Sequence, residues 1–257
     1  MRGIILLISI AFIGISSPLF SQKRQFKQKK GTHRYMTYNI KHGEGMDDVI
    51  DIGRLAGLIG EVNPEVVALQ EVDSVAGRSH NIDIMQELGY KLDMYANFAA
   101  AIPLRKGKYG VGILSKEKPL RVKKQILPGR EEARVLLVTE FRDYVFCCTH
   151  FSLTEDDRKE SIRIINDIVS SYDKPVLLAG DLNFTPDSEE MKLLLAKWDL
   201  LSSPKSKTFP SDRPEEVLDY IFCYKAHSKG VEKYRSHVIM EKVISDHRPL
   251  FVDVRLK

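Results

Sequence analysis

From Arg34 onward, short β-type runs alternate with longer amphipathic helical stretches. Frequent β-branched and aromatic residues predict strands over residues 35–39, 66–70, 112–115, 133–141, 144–149, 176–179, 220–223 and 250–254. Apolar residues at helical spacing predict helices over residues 48–62 and 156–171. This pattern favours layers of helix and sheet, and the 257 residues suit one large domain.

The N-terminus has the pattern of a secretory signal peptide. A charged start at Arg2 precedes an apolar run from Gly3 to Ile15 and a polar, small-residue exit that ends at Ser21. The run is shorter than the ~20 apolar residues that a transmembrane helix needs. We therefore predict a signal peptide over residues 1–21 and export to the periplasm or the extracellular space, with no further integral membrane domain. The alternative is an uncleaved membrane anchor, because Leu19 is not the small residue preferred before a cleavage site.

A basic, non-periodic segment separates this signal from the predicted folded domain of residues 34–257. Residues 22–33 are interpreted as a flexible linker. Residues 1–34 hold seven of the 39 basic residues and no acidic residue, so the remainder carries 32 basic against 35 acidic residues, a net charge of −3. A domain that binds nucleic acid usually carries an excess of cations. The charge therefore does not favour nucleic acid as the partner. As to oligomeric state, a monomer is expected.

Three cysteines, an odd number, do not form a disulfide framework. Cys147 and Cys148 lie in an apolar run, where small buried thiols are common, and are interpreted as packing residues. A bridge between Cys148 and Cys223 is the alternative in an oxidising compartment.

Polar residues suited to chemistry recur at the ends of the predicted strands, where a buried sheet delivers side chains to a rim. Each one alone has an ordinary explanation as a turn former, a helix cap or a structural histidine. Together they exceed what turns require. The set comprises Asn39, Glu71, His150, Asp181, Asn183, Asp219, Asp246 and His247.

The oxygen ligands in this set suit a hard divalent cation. Glu71, Asp246 and the amide oxygen of Asn39 are the donors that Mg²⁺ prefers, with Mn²⁺ as the alternative, whereas zinc favours more histidine and cysteine. Such an ion polarises a phosphoryl oxygen while a carboxylate or a histidine activates the attacking water. Asp219 is a suitable partner for His247, because a carboxylate makes a histidine more basic and orients it. The sequence lacks a glycine-rich phosphate loop, a Gly-x-Ser-x-Gly elbow and a Cys-x-x-Cys metal site.

In order along the chain stand the segments MTYNIKHG, VVALQEVD, YGVGILSK, CCTHF, VLLAGDLNFTP, LDYIF and SDHRPL, and all of them except YGVGILSK contain residues of this set. From Tyr35 to the C-terminus the sequence resembles the endonuclease/exonuclease/phosphatase superfamily. The resemblance implies an α+β fold of the DNase I-like type. In that fold, a four-layer αββα sandwich, two mixed β-sheets pack face to face between helices and the site lies at one rim.

The resemblance also implies roles for the residues. Glu71 would be the principal metal ligand, with Asn39 and Asp246 close to the ion. Asp181 would orient or deprotonate the water, and Asn183 would hold a phosphate oxygen. His247, paired with Asp219, would act as general base or stabilise the phosphorane-like state; the choice between Asp181 and His247 as base stays open. His150 would contact the phosphoryl group or the leaving oxygen.

Two further residues have two interpretations each. Arg78 is either a phosphate-binding residue or a solvated loop residue. Tyr109 either lines the pocket or is a packed aromatic.

The leading hypothesis is a metal-dependent phosphodiesterase or phosphomonoesterase that acts on a small or lipid-linked phosphate ester. The alternatives are a secreted nuclease and a non-catalytic binding module on the same fold.

Overall fold

The structure, a computed structural model, describes residues 26–256 of the chain. The predicted signal peptide and residues 22–25 of the predicted linker lie outside the described residues. Among the helices formed by residues 26–256, none has both the length and the apolar character that crossing a membrane requires.

The first of two sheets contains the beginning and the end of the domain. Its strands are β1 (His33–Asn39), β2 (Val66–Ser74), β3 (Tyr95–Leu104), β4 (Gly107–Ser115), β11 (Val231–Val238) and β12 (Leu250–Leu256). Their order across the sheet is β11, β12, β1, β2, β4, β3. Strands β1 and β2 are parallel and β1 and β12 are antiparallel, so the sheet is mixed.

The second sheet is formed by the middle of the chain. Its strands are β5 (Arg121–Leu127), β6 (Arg134–Glu140), β7 (Val145–His150), β8 (Val176–Asp181), β9 (Trp198–Leu200) and β10 (Asp219–Tyr224). The order is β5, β6, β7, β8, β10, β9. Strands β7 and β8 are parallel and β8 and β10 are antiparallel, so this sheet is also mixed.

Helices cover the outer face of each sheet. Helices α1 (Ile52–Val62) and α2 (Ile84–Leu92) pack on the first sheet, where Leu55 and Leu88 join one apolar cluster with Val67. Helices α3 (Glu155–Val169) and α4 (Glu189–Lys197) pack on the second sheet in the same way. A third cluster, which includes Tyr35 and Phe146, fills the space between the sheets. The predicted four-layer αββα sandwich is therefore confirmed.

Strand β7 shows why the sequences of the central strands are nearly continuous apolar runs. Phe146 and Cys148 face the core between the sheets, whereas Val145 and Cys147 face the core beneath the helices. A strand buried on both faces needs apolar side chains at successive positions. All three cysteines are buried free thiols, as expected for packing residues, and a bridge between Cys148 and Cys223 is not formed.

The four strands absent from the sequence prediction, β3, β5, β9 and β11, each lie at an edge of a sheet. Strand β5 shows the reason, because Arg121–Leu127 is exposed at every position except the last. An edge strand has a neighbour on one side only and often carries charged side chains, which weakens the apolar pattern. Helices α2 and α4, nine residues each, were also not predicted.

The helix predicted over residues 48–62 begins later, at Ile52. The side chain of Asp51 accepts a hydrogen bond from the backbone N–H of Arg54 at 3.0 Å and caps the helix there. The helix predicted over residues 156–171 corresponds to Glu155–Val169.

The described part of the predicted linker contacts the domain. The Phe26 ring packs edge-on against Phe251, with ring centroids 6.0 Å apart. The buried Arg34 side chain donates to the Phe26 carbonyl at 2.7 Å and pairs with Asp253. Within the described residues, contacts with the domain are therefore already made at Phe26, before the boundary predicted at residue 34.

Candidate active site

The eight predicted site residues lie at one rim of the sandwich because of strand direction and register. Parallel β7 and β8 place His150 beside Asp181, and antiparallel β10 places Asp219 opposite the same Asp181. Asn39 ends β1, and Asp246 and His247 lie in the loop shortly before β12, which runs antiparallel to β1. Both sheets thus contribute residues to the same edge.

Glu71 reaches this rim in a way that differs from the prediction. It was predicted to follow the end of a strand at Gln70, but β2 continues to Ser74. The register against β4 shifts between Leu69 and Val72, and Glu71 has a φ of +56°. Such a bulge redirects a side chain without ending the strand. A local irregularity within β2 therefore presents the carboxylate.

Asn39 joins the two sheets at the rim. Its Nδ2 atom donates to Glu71 Oε1 at 3.0 Å and to Asp181 Oδ2 at 3.0 Å. Its Oδ1 atom accepts from the backbone N–H of Lys41 at 3.1 Å. The amide nitrogen, rather than the predicted oxygen, therefore faces the carboxylates, and ligation through Oδ1 requires rotation of the amide.

Asp219, His247 and Asp181 form a buried chain. His247 Nδ1 lies 2.8 Å from Asp219 Oδ2, and His247 Nε2 lies 3.5 Å from Asp181 Oδ2. Burial lowers the pKa of His247, but the negative charges of Asp219 and Asp181 outweigh it and raise the pKa to about 10. The imidazole is therefore held as a cation between two carboxylates.

His150 occupies the other side of Asp181 and has the opposite character. Its Nε2 atom lies 3.0 Å from Asn183 Nδ2 and 3.5 Å from Asp181 Oδ2. Burial lowers the pKa of His150 to about 4, against the opposing effect of Asp181 and with the help of the Arg134 cation. The site thus contains one neutral and one charged histidine.

The carboxylates fit a hard divalent cation. Burial raises the pKa of Glu71, and the negative charges of Asp246 and Asp181 raise it further. Neighbouring carboxylates that raise one another's pKa in this way are typical of a Mg²⁺ or Mn²⁺ site.

Metal-ligand spacing within the described residues is met by a different group, which does not include Glu71 or Asp246. One of its buried oxygens, Oδ1 of Asp219, has no hydrogen-bond partner in the described part of the chain. One ligand atom each from Asp181, Asp219 and His247 lies within 4.8 Å of the others. Both ring nitrogens of His247 already face carboxylates, which favours an ion-paired histidine over a metal ligand. The oxygen donors around Glu71 are therefore the better place for the ion.

Arg78 and Tyr109 lie beside the core of the site. Arg78 donates to both carboxylate oxygens of the buried Asp73 at 2.8 Å, and its guanidinium lies 5.3 Å from the centre of the Tyr109 ring. Tyr109 is 7% exposed and lines a narrow slot together with His150. Arg78 is thus held in place by Asp73, and substrate binding by Arg78 stays a prediction.

Sequence reasoning missed Arg134. It lies at the start of β6, is buried, and places Nη1 3.4 Å from His150 Nδ1. The signal available was a cation directly before the apolar stretch of a predicted strand, a position that a solvated strand end explains equally well.

The chain is similar in sequence to known proteins of one family. A model of the endonuclease/exonuclease/phosphatase family matches residues 36–247. Exodeoxyribonuclease III of Haemophilus influenzae is 25% identical over 224 residues, which cover 78% of this chain and 80% of that protein.

Solved structures show the same fold. The endonuclease/exonuclease/phosphatase from Bacteroides vulgatus superposes with a TM-score of 0.73 at 18% identity, over 89% of this chain and 100% of that one. The mannosyl-6-phosphatase from Bacteroides thetaiotaomicron superposes with a TM-score of 0.69 at 14% identity, over 86% and 99%. The family match spans all eight rim residues, from Asn39 to His247. The chain belongs to the endonuclease/exonuclease/phosphatase family, whose members hydrolyse phosphodiester or phosphomonoester bonds.

Proposed function

We propose that this protein is a Mg²⁺-dependent phosphodiesterase or phosphomonoesterase that acts on a small or lipid-linked phosphate ester. The observation that carries the proposal is the chain of contacts from Glu71 through Asn39 to Asp181 and on to His247. This chain brings a carboxylate suited to metal binding (Glu71), a carboxylate suited to binding the attacking water (Asp181) and a charged histidine (His247) to one rim.

In this proposal Glu71 and Asp246 would hold the ion, and Oδ1 of Asn39 would be the third ligand. Mn²⁺ is the alternative ion. When bound, such an ion neutralises negative charge on the phosphoryl group and on the leaving oxygen.

The remaining residues orient the reactants. Asp181 positions the attacking water and accepts its proton, because His247 is already protonated and is a poor base in that state. The His247 cation stabilises negative charge that develops on the phosphoryl oxygens. Asn183 and His150 bind a phosphate oxygen, and Arg78 supplies a further cation beside Glu71.

The test is hydrolysis of bis-p-nitrophenyl phosphate, p-nitrophenyl phosphate, sphingomyelin and plasmid DNA, each with Mg²⁺ and with EDTA. We expect turnover of at least one of the first three substrates, and its loss in EDTA. Asp181→Asn and His247→Gln should each lower kcat by roughly 10²-fold or more while the protein stays folded. Full activity in EDTA would contradict the role of the metal, and no turnover of any substrate would favour the non-catalytic binding module.

A secreted nuclease is the second candidate, and the relative named exodeoxyribonuclease III is the observation that favours it. Against it, residues 35–257 carry 32 basic and 35 acidic side chains, which gives little general attraction to nucleic acid. Plasmid cleavage faster than hydrolysis of the small esters would reverse this ranking.

We also propose that the protein is exported and acts as a monomer. The apolar run from Gly3 to Ile15 and the exit at Ser21 support export. N-terminal sequencing of protein from the periplasm or the medium should begin at Gln22, whereas an intact Met1 in the membrane fraction would indicate an anchor. A single species of monomer mass in light scattering would support the second point.

A further inference from the structure

Arg134 is a buried cation that faces a catalytic histidine instead of solvent. Its side chain is 7% exposed, and its Nε atom is buried without a hydrogen-bond partner among residues 26–256. Nη1 lies 3.2 Å from Glu132 Oε1 and Nη2 lies 3.5 Å from Glu131 Oε1. Two carboxylates on the preceding turn therefore hold the guanidinium in place, with Nη1 directed at His150 Nδ1.

Both ring nitrogens of His150 face hydrogen-bond donors. Arg134 Nη1 lies 3.4 Å from Nδ1, and Asn183 Nδ2 lies 3.0 Å from Nε2. The Asn183 amide is oriented by its second contact, a hydrogen bond of 2.9 Å from Nδ2 to the Phe151 carbonyl. A neutral imidazole has one donor and one acceptor nitrogen, so it cannot accept from Arg134 and Asn183 at the same time.

The conflict is resolved by charge. A guanidinium is always protonated and can only donate, so an N–H at Nδ1 would point at a fixed buried cation. An N–H at Nε2 would instead meet a neutral amide and the Asp181 carboxylate, whose Oδ2 lies 3.5 Å away. In a buried site the contact of an N–H with a cation costs more than its contact with a neutral amide.

We propose that Arg134 is a positioning residue that holds His150 in the tautomer with its proton on Nε2. This nitrogen faces Asp181 and Asn183, the groups at the reaction centre. In the proposed function, on which only this consequence rests, His150 then donates a hydrogen bond through Nε2 to an oxygen of the phosphate ester. Asn183 is left free to donate to a second oxygen. No proton is transferred, because loss of the Nε2 proton from a neutral imidazole would leave an anion.

The tautomer can be measured without substrate, metal or activity. Long-range ¹⁵N–¹H correlation spectra of ¹⁵N-labelled protein distinguish the two neutral tautomers of histidine, and the His150→Gln variant assigns the signal. We expect Nε2 to be protonated in the metal-free wild-type protein at neutral pH. In Arg134→Met the proton should move to Nδ1, because Asn183 then donates to Nε2 without competition.

Asn183→Ala is the reciprocal variant, and it should keep the proton on Nε2. If Arg134→Met does not fold, the spectra of the wild-type protein and Asn183→Ala still decide. A proton on Nδ1 in the wild-type protein, or a tautomer unchanged in folded Arg134→Met, would overturn the proposal.

Kinetics supply a second readout, with bis-p-nitrophenyl phosphate as substrate. Arg134→Met should lower kcat by about 10- to 100-fold with a much smaller change in KM, and Arg134→Lys, which keeps a donor for Nδ1, should recover part of the loss. Arg130→Met is the matched control, since Arg130 lies four residues earlier and its side chain is 64% exposed. It should leave kcat unchanged.

The two readouts separate this inference from the proposed function. If the tautomers are as expected but no substrate is hydrolysed, the role of Arg134 is supported and the proposed enzymatic function is contradicted. Hydrolysis with a proton on Nδ1 of His150 would do the reverse. An equal loss of kcat in Arg134→Met and Arg130→Met would indicate a general effect of the loop and contradict the positioning role.

Discussion

His247 and Asp219 come from separate parts of the chain, yet His247 Nδ1 lies 2.8 Å from Asp219 Oδ2. Asp219 begins β10 in one sheet, and His247 precedes β12 in the other. Both side chains are at most 6% exposed, so water screens the pair weakly. The Phe209 ring, 4.8 Å from the imidazole centre, covers the histidine. The contact therefore couples the two sheets at the rim and fixes the charge of the histidine.

The first prediction concerns the charge of His247. In metal-free protein its pKa is raised from 6.5 to about 10, so its contribution to stability is complete below about pH 6.5 and is lost as the pH rises through about 10. Asp219→Asn removes one of the two charges that raise the pKa. We expect a lower His247 pKa in this variant, measured by NMR in EDTA, and a weaker decline in the free energy of unfolding between these pH values.

His237→Gln serves as the control, because burial lowers the pKa of His237 and Asp219 is not among the charges that act on it. The free energy of unfolding of this variant should decline between these pH values in the same way as that of the wild-type protein. An unchanged His247 pKa in Asp219→Asn would show that Asp219 does not set the charge of the histidine.

The second prediction concerns Glu71 and the metal. Glu71→Gln keeps the size of the side chain and removes a charged ligand, so Mg²⁺ affinity measured by calorimetry should fall by about 10-fold or more. Mg²⁺ at about 100 times its dissociation constant should stabilise the wild-type protein by about 2.7 kcal/mol. The variant should lose about half of this stabilisation or more at the same Mg²⁺ concentration.

Glu61→Gln, at an exposed position of α1, tests whether any loss of negative charge has this effect. It should bind Mg²⁺ as the wild-type protein does. Equal Mg²⁺ affinity in Glu71→Gln and wild-type protein would show that Glu71 is not a ligand of the ion. The group of Asp181, Asp219 and His247 would then be the next candidate site.

The sequence predicted the central strands and missed the edges, and burial explains the difference. Strand β7 is buried on both faces, so burial alone selects its residues. Strand β11 is exposed or half-buried throughout and lies at an edge. Its residues must suit contact with water as well as pairing with β12, and a mixed sequence of that kind is equally compatible with a loop. The layered fold was therefore predictable, whereas the width of each sheet was not.

The site was predictable as a set of residues and only partly as a geometry. Ligand types and strand ends pointed to Glu71, but the bulge that directs its carboxylate depends on pairing with β4. Arg134 was missed because its meaning comes from the nearness of His150, 16 residues later, and that nearness exists only after β6 and β7 pair. Strand-end composition identifies candidates, whereas their hydrogen-bond partners require the fold.

The third prediction concerns the buried ion pair that joins the two ends of the domain. Arg34 Nε and Nη2 donate to Asp253 at 2.7 and 2.8 Å, and Nη1 donates to the Val62 carbonyl at 2.7 Å. Asp253→Asn leaves this guanidinium buried without its counter-ion, so the free energy of unfolding should fall by about 3–5 kcal/mol in urea titrations. Asp167→Asn, in an exposed pair on α3, should leave it unchanged. A loss below about 1 kcal/mol in Asp253→Asn would contradict a structural role for the pair.

The fourth prediction concerns Gly180, which allows β7 and β8 to approach closely beneath the site. A Cβ atom at this position would lie 2.0 Å from the Thr149 carbonyl oxygen, a backbone atom that cannot move without shifting its strand. Because the same ladder pairs His150 with Asp181, Gly180→Ala should displace these two side chains relative to each other. A shift of about 1 Å can cost about 10²-fold in rate, so kcat should fall by that order, with a lower thermal midpoint. Gly57→Ala, at an open position of α1, should leave kcat unchanged and stabilise the protein by up to about 1 kcal/mol. Wild-type kcat in Gly180→Ala would mean that the rim tolerates a shift in the ladder and that catalysis does not depend on the spacing of β7 and β8.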